Sequence, residues 1–366
     1  MEPTVSLLGR LERRNSVQDL KSMTLAEITE ALKPLNIPSF RAKQVYEWLV
    51  KGVESYEEMT NLSKDLRATL SEKFPFTYAK IVRKLTSQID GTVKYLFELC
   101  DGHCVEGVVM QYHHGYSMCL STQVGCRMGC AFCATGMGGL IRNLTAGEIL
   151  SQITAAQRDL GIRISNLVLM GMGEPLDNYQ NTLRFLELVS SDNHLNIGAR
   201  HISLSTCGVV DKIQDLGEKG SQVTLSVSLH APNDQIRNDI MPVNKKWNVD
   251  TLLSACKEYI GKTGRRISFE YILIDGVNDT PACAKELAAK LKGMLCHVNL
   301  IPANPVPGKT HAGACKKAAQ EFQKNLCERG INATIRRTLG SDINASCGQL
   351  RNTSQSEGGN TNEIRL

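Results

Sequence analysis

Residues 116–136 read YSMCLSTQVGCRMGCAFCATG. The first seven, 116–122, are apolar and β-prone and predict a strand. They run into a glycine-bearing stretch in which Cys126, Cys130 and Cys133 stand in a C-x3-C-x2-C spacing. The passage from strand to irregular loop recurs downstream. Apolar, β-rich segments lie at 166–172, 201–206, 223–229, 267–274 and 296–302. Helical patterns separate them: 145–160, with a Thr145–Glu148 capping box, and runs starting near Asn178, Asp250 and Pro281. Strand and helix alternating six times predict an α/β fold with a parallel sheet and outer helices. The expected architecture is a partial (β/α)6, TIM-like barrel, whose site lies at the C-terminal ends of the strands. A last helix, about 312–329, and a short strand, 333–337, follow.

Upstream, residues 23–76 are helical in pattern. Thr24 and Glu27 form a capping box before a run ended by Pro34; Val45, Trp48 and Leu49 repeat at helical spacing before Gly52; a third helix covers 63–74. Residues 80–112 read as strands, with Asp90-Gly91 as a turn. The expected division is a flexible N-terminus at 1–20, a small helical accessory domain at 21–79, a β-hairpin linking segment at 80–111, a core at 112–345, and a C-terminal segment at 346–366. The polar tail, 351–366, is expected to be disordered.

Composition sets the class. Hydrophobic residues are 42% and charged residues 22%, as in globular proteins. No apolar run is long enough for a membrane span, and the N-terminus carries acids and no apolar leader, so a cytoplasmic protein without a membrane partner is expected. The net charge of +5 permits a nucleic-acid partner without demanding one. Thirteen cysteines in a chain without an export signal argue for metal or thiol chemistry over a disulfide framework. Cys207, Cys256, Cys283 and Cys327 are read as small buried hydrophobes.

Three readings of the cysteine loop compete. A zinc site needs a distant fourth ligand. Three unrelated thiols are another option. A [4Fe–4S] cluster held by three cysteines leaves one iron open. Other strand ends carry groups suited to a ligand: 170-MGMGEP-175 with Glu174, Ser205-Thr206, 228-SLH-230 and Asn304. Taken singly, His230 reads as a structural histidine and Glu174 as a solvated one. Two further cysteines stand apart, Cys119 within the first strand and Cys347 in 342-DINASCGQL-350. Each, alone, reads as an inert thiol.

The C-x3-C-x2-C loop after the first strand of a β/α barrel resembles the radical S-adenosylmethionine (SAM) superfamily. Together VEGVVM (105–110), CLSTQVGCRMGCAFCATG (119–136), MGMGEPLDN (170–178), SLSTCG (203–208), SLHAPND (228–234), VNLIPANPVPG (298–308) and DINASCGQL (342–350) resemble the RlmN/Cfr family of radical SAM RNA methyltransferases, and more its RlmN branch. The resemblance implies that Cys126, Cys130 and Cys133 hold a [4Fe–4S] cluster. It implies that Gly173, Glu174, Ser205, Ser228, Leu229, His230 and Asn304 bind SAM. Cys347 would carry the methyl group, Cys119 would be its thiol partner, and Glu106 a proton acceptor.

The implied substrates are 23S rRNA, in the peptidyl-transferase region, and tRNA, beside the anticodon. The implied reaction is methylation of adenine C2, an electron-poor carbon that cannot attack SAM directly. Two SAM molecules would be used per turnover, one to methylate Cys347 and one to yield a 5′-deoxyadenosyl radical. Attack of Cys119 on the Cys347 sulfur would release the product and leave a disulfide for a reductant to reopen. An electron donor such as flavodoxin or ferredoxin and a monomeric state are also expected. The family pattern Asp-Ile-Asp-Ala-Ala-Cys reads Asp-Ile-Asn-Ala-Ser-Cys here, so a role needing a carboxylate at Asn344 is in doubt. Two alternatives stay open: C8 methylation, the Cfr activity, and a zinc-stabilised RNA-binding module without catalysis.

Overall fold

The chain is described by a computed structural model covering residues 19–306, 308, 312–346 and 348–350. Cys347, most of the expected flexible N-terminus and the tail expected to be disordered lie outside the described residues.

Three helices open the chain, α1 (Leu25–Leu32), α2 (Ser39–Val50) and α3 (Lys64–Lys73). The Thr24 amide donates to Glu27 Oε2 at 2.8 Å and the Glu27 amide to Thr24 Oγ1 at 3.3 Å, closing the expected capping box. α1 stops at Leu32, and Pro34 falls in a single 3-10 turn beyond it. Ile28, Leu32, Val45, Leu49, Met59 and Leu70 form a core of their own.

The rest is built on one ten-stranded sheet, in order β1-β2-β3-β4-β7-β8-β9-β10-β11-β12. β1 (Ala79–Thr86), β2 (Val93–Leu99), β3 (Cys104–Tyr112) and β4 (Gly115–Cys119) form an antiparallel meander. From β4 onward the strands are parallel: β7 (Ile164–Leu169), β8 (Ile202–Thr206), β9 (Thr224–Ser228), β10 (Ile267–Leu273), β11 (Cys296–Pro302) and β12 (Ala333–Ile335). β4 and β12 do not pair, so the barrel is open on one side. The helices are α4 (Ala146–Leu160), α5 (Tyr179–Ser190), α6 (Val210–Glu218), α7 (Asp234–Ile240), α8 (Val249–Thr263), α9 (Pro281–Leu291) and α10 (Lys316–Cys327).

The alternation that makes a strand also sorts its faces. In β8, Ile202, Leu204 and Thr206 are buried, while Ser203 and Ser205 on the other face are half-buried. The apolar set joins the main core, and the polar set is left for the barrel interior.

Three elements were not expected. α6 and α7 are short, nine and seven residues, and carry too few periods to stand out in sequence. A two-stranded sheet, β5 (Gln123–Gly125) with β6 (Leu140–Asn143), frames the cysteine loop. Cys327, read as buried, is exposed, because it lies on the solvent side of the last turn of α10. No helix among the described residues is long and apolar enough to cross a membrane.

Candidate active site

The cysteine loop hangs from the β5–β6 hairpin. Gly125, at φ +76°, turns the chain where an added Cβ would sit 2.0 Å from the Gly139 carbonyl oxygen. The Cys126 amide then donates to that carbonyl at 2.8 Å, and the Ala131 amide to Ile240 O at 2.9 Å. The loop is thereby tied both to its own hairpin and to the end of α7.

Cys126, Cys130 and Cys133 line one cavity together with Gly173, Glu174, Ser205, Ser228 and His230. These residues come from the ends of three strands, β7, β8 and β9, and the first βα loop. Gly173, at φ +106°, lies against Gln123; a Cβ there would meet the Gln123 Cβ at 2.6 Å. The Glu174 carboxylate is buried and pinned, accepting from the Leu176 amide at 3.0 Å and the Cys207 amide at 2.7 Å. Burial pushes its pKa up, and these amide donors pull against that shift.

His230 holds a positive φ of +59°, uncommon for a residue other than glycine. Its Nδ1 accepts from the Ile272 amide at 3.0 Å, which makes Nε2 the proton-bearing nitrogen. Burial lowers its pKa to about 3, so the ring is a neutral donor. Phe132 of the cysteine loop meets it edge-on, ring centroids 4.9 Å apart.

Two predicted residues stand elsewhere. Leu229 turns its side chain into the apolar core and lines neither cavity; its amide donates to Glu270 O at 3.1 Å and its carbonyl accepts from Arg237 Nε at 2.9 Å. Asn304 lines a second cavity, with Cys119, Met110, Ala345 and Ser346. The two cavities adjoin, sharing Met170, Ile301 and Arg336. Glu106 lines neither. It is buried on β3, its Oε1 2.8 Å from the Lys94 ammonium.

The segment bracketing position 347 is docked at both ends. Asp342 accepts from Ser87 Oγ at 2.7 Å and the Gln88 amide at 2.9 Å, and the Gly340 amide donates to Asp90 Oδ2 at 2.9 Å. Beyond it, the Ala134 amide donates to Gly348 O at 2.8 Å and Thr135 Oγ1 to Leu350 O at 2.6 Å. Ser346 lines the second cavity and Gly348 the first.

Several residues here escaped sequence reasoning. Cys207, read as inert, lines the cysteine cavity and supplies an amide to Glu174. Arg237 is fully buried and donates to Leu229 O at 2.9 Å, Cys207 O at 2.6 Å, Ser228 O at 3.2 Å and Asn244 Oδ1 at 2.9 Å, lacing the ends of β8 and β9 together. Its place seven residues after His230 in a short helix is the one signal the sequence offers.

The donor set fits an iron–sulfur cluster. Burial pushes the Cys126 thiol up to about 12 and Cys130 above its ordinary value too. Such thiols ionise when a metal centre replaces their protons. Among the described residues no three His, Cys, Asp or Glu side chains converge as the ligands of one ion. A cluster puts each thiolate on a different iron, so it asks for three sulfurs around a cavity. Glu174, the His230 Nε2–H and the serine hydroxyls offer the polar partners that an amino-acid-bearing cofactor needs beside it.

Residues 120–284 match the Radical SAM superfamily, and residues 18–75 match the ribosomal RNA large subunit methyltransferase N-terminal domain. A probable dual-specificity RNA methyltransferase RlmN of Alkaliphilus oremlandii (strain OhILAs) is 54% identical over 91% of this chain and 97% of its own length. One of Lachnoclostridium phytofermentans (strain ATCC 700394 / DSM 18823 / ISDg) is 53% identical over 91% and 94%. The crystal structure of a radical SAM methyltransferase from Sphaerobacter thermophilus superposes with a TM-score of 0.87 at 46% identity, over 91% of this chain and 99% of that one. The superfamily's cofactors are a [4Fe–4S] cluster and SAM. The chain belongs to the RlmN family of radical SAM RNA methyltransferases.

Proposed function

We propose that this protein methylates C2 of adenine in 23S rRNA and in tRNA by way of S-methylated Cys347. The observation that carries this reading is the adjacency of two cavities. One is lined by the three clustered cysteines, the other by Cys119 and Ser346, and Met170, Ile301 and Arg336 belong to both. The two candidate reaction centres therefore share a wall.

Cys126, Cys130 and Cys133 would hold the cluster. Glu174 would meet the SAM ammonium through the lone pairs that its two backbone donors leave over. Gly173, Ser205, Ser228, the backbone of Leu229, the His230 Nε2–H and Asn304 would complete the SAM site. When bound, the cluster and SAM supply an electrophilic methyl group and a hydrogen-abstracting 5′-deoxyadenosyl radical.

The chain's own residues do the rest. Cys347 carries the methyl as a thioether. Glu106 takes the C2 proton. Cys119 attacks the Cys347 sulfur, the bond from that sulfur to the transferred carbon breaks, the freed carbon takes up a proton to complete the methyl group, the adduct's unpaired electron would pass back to the cluster, and a disulfide remains for an external dithiol to reduce. Asn344 stands where the family pattern has a carboxylate. It adopts φ +50°, ψ +44°, a left-handed conformation that asparagine tolerates better than most residues.

The test is nucleoside mass spectrometry of RNA treated with the reduced, SAM-supplied holoenzyme, beside Cys347→Ala. The expected product is 2-methyladenosine from wild type and none from the variant. 8-Methyladenosine would replace the C2 assignment, and unchanged product from the variant would remove the role of Cys347.

A further inference from the structure

Lys94 is 8% exposed and Glu106 3%, so the pair between them is buried. β2 and β3 pair with Lys94 opposite Val108 and Leu96 opposite Glu106, and β3 and β4 pair with Val108 opposite Cys119. Residues directly opposite share a sheet face. Lys94, Glu106, Val108 and Cys119 therefore share one face, which the second cavity meets at Val108 and Cys119. The other ionisable groups on this face are Lys80 and Arg83 on β1, Glu98 on β2, and Cys104 and Tyr112 on β3; the docked C-terminal segment brings Asp342 onto the β1–β2 turn at Ser87 and Gln88.

The Lys94 ammonium has a second partner. It donates to the carbonyl of Asn344 at 3.1 Å, three residues before Cys347. One cation thus bridges the candidate base and the segment that carries the candidate methyl donor. A surface lysine gains little from either contact. In a buried site the same cation decides which protonation state of a neighbouring carboxyl is stable.

We propose that Lys94 is a positioning residue for methyl transfer: it keeps Glu106 ionised, ready to accept the adenine proton, and clamps the Cys347-bearing segment beside it through Asn344 O. This rests on the role given above to Glu106. Without Lys94, a buried Glu106 loses the ammonium 2.8 Å from its Oε1 and shifts toward the neutral acid, which cannot take a proton. Arginine keeps the charge, and methionine keeps the length of the stem without it.

The experiment compares wild type, Lys94→Met, Lys94→Arg and Glu106→Gln holoenzymes by initial methylation rates from about pH 5.5 to 9. The acidic limb of the Lys94→Met profile is expected to move alkaline by about one pH unit or more, with a rate at pH 7 down by about tenfold or more. Lys94→Arg should keep the wild-type limb. Cluster-free protein gives a readout independent of turnover: in pH-difference infrared spectra, a protonated carboxyl band absent from Glu106→Gln should persist to higher pH in Lys94→Met than in wild type. A limb and a band that stay in place in Lys94→Met would overturn the inference, however slow that variant is. So would a Lys94→Met that does not fold together with an inactive Lys94→Arg, since Lys94 would then be scaffold. Wild-type methylation by Glu106→Gln would instead remove Glu106 as the base, a separate failure from that of Lys94.

Discussion

The amide of Ala134 donates to the carbonyl of Gly348 at 2.8 Å. Ala134 follows the third cluster cysteine, and Gly348 follows Cys347. One backbone hydrogen bond thus joins the loop proposed to hold the cluster to the segment proposed to carry the methyl group. The neighbouring bond, from Thr135 Oγ1 to Leu350 O, fastens the same junction.

Thr135→Val tests that junction. Its hydroxyl is buried, and its removal leaves Leu350 O without this donor, at about 1 kcal/mol. Iron and sulfide content are expected to stay at wild-type level, methylation to fall several-fold, and trypsin to cut after Arg337 faster. Iron loss in step with activity would show that the bond supports the cluster loop instead.

Asn344 is exposed and left-handed. Asn344→Asp is expected to methylate within about twofold of wild type, because aspartate shares the tolerance for this conformation. Asn344→Val should cost about 1–2 kcal/mol of local docking through backbone strain alone. Parallel methylation assays decide it. Equal activity in the valine variant would mean that the segment does not need its left-handed turn.

Arg237→Met removes a buried cation and leaves the carbonyls of Leu229, Cys207 and Ser228 without their donor. The expected loss of stability is on the order of 3 kcal/mol. Urea unfolding of the cluster-free protein measures it, and a loss below about 1 kcal/mol would contradict the lacing role.

His230 makes stability depend on pH. Burial lowers its pKa to about 3, and that of His194 to about 4. Below the unfolded value of about 6.5, the unfolded chain binds protons that the folded chain refuses. Stability is therefore complete above about pH 6.5 and declines as pH falls, by up to about 1.4 kcal/mol per unit for each ring. His230→Asn keeps a residue suited to positive φ and supplies an amide oxygen for the Ile272 amide, but it does not titrate. Its urea-unfolding free energy should depend on pH less steeply than wild type between about pH 4.5 and 6.5. Identical slopes would rule out His230 as a source.

Much of this was legible before folding. Seven parallel strands fall within a few residues of the segments read from apolar, β-prone runs, because alternation and flanking turns are local properties. The cysteine loop is equally local: eight residues hold all three thiols, and the strand before them places the loop at the barrel's C-terminal end. The pairings are different in kind. Lys94 meets Glu106 through the register of β2 on β3, and a shift of one residue would turn Lys94 to the opposite face. Cys207, after β8, serves Glu174, after β7, and Arg237 gathers carbonyls from the ends of β8 and β9. Motif and periodicity speak for residues close along the chain. Contacts between residues 12, 33 or 250 positions apart, such as Lys94–Glu106, Glu174–Cys207 and Lys94–Asn344, arise only when burial and hydrogen bonding select one packing of the elements.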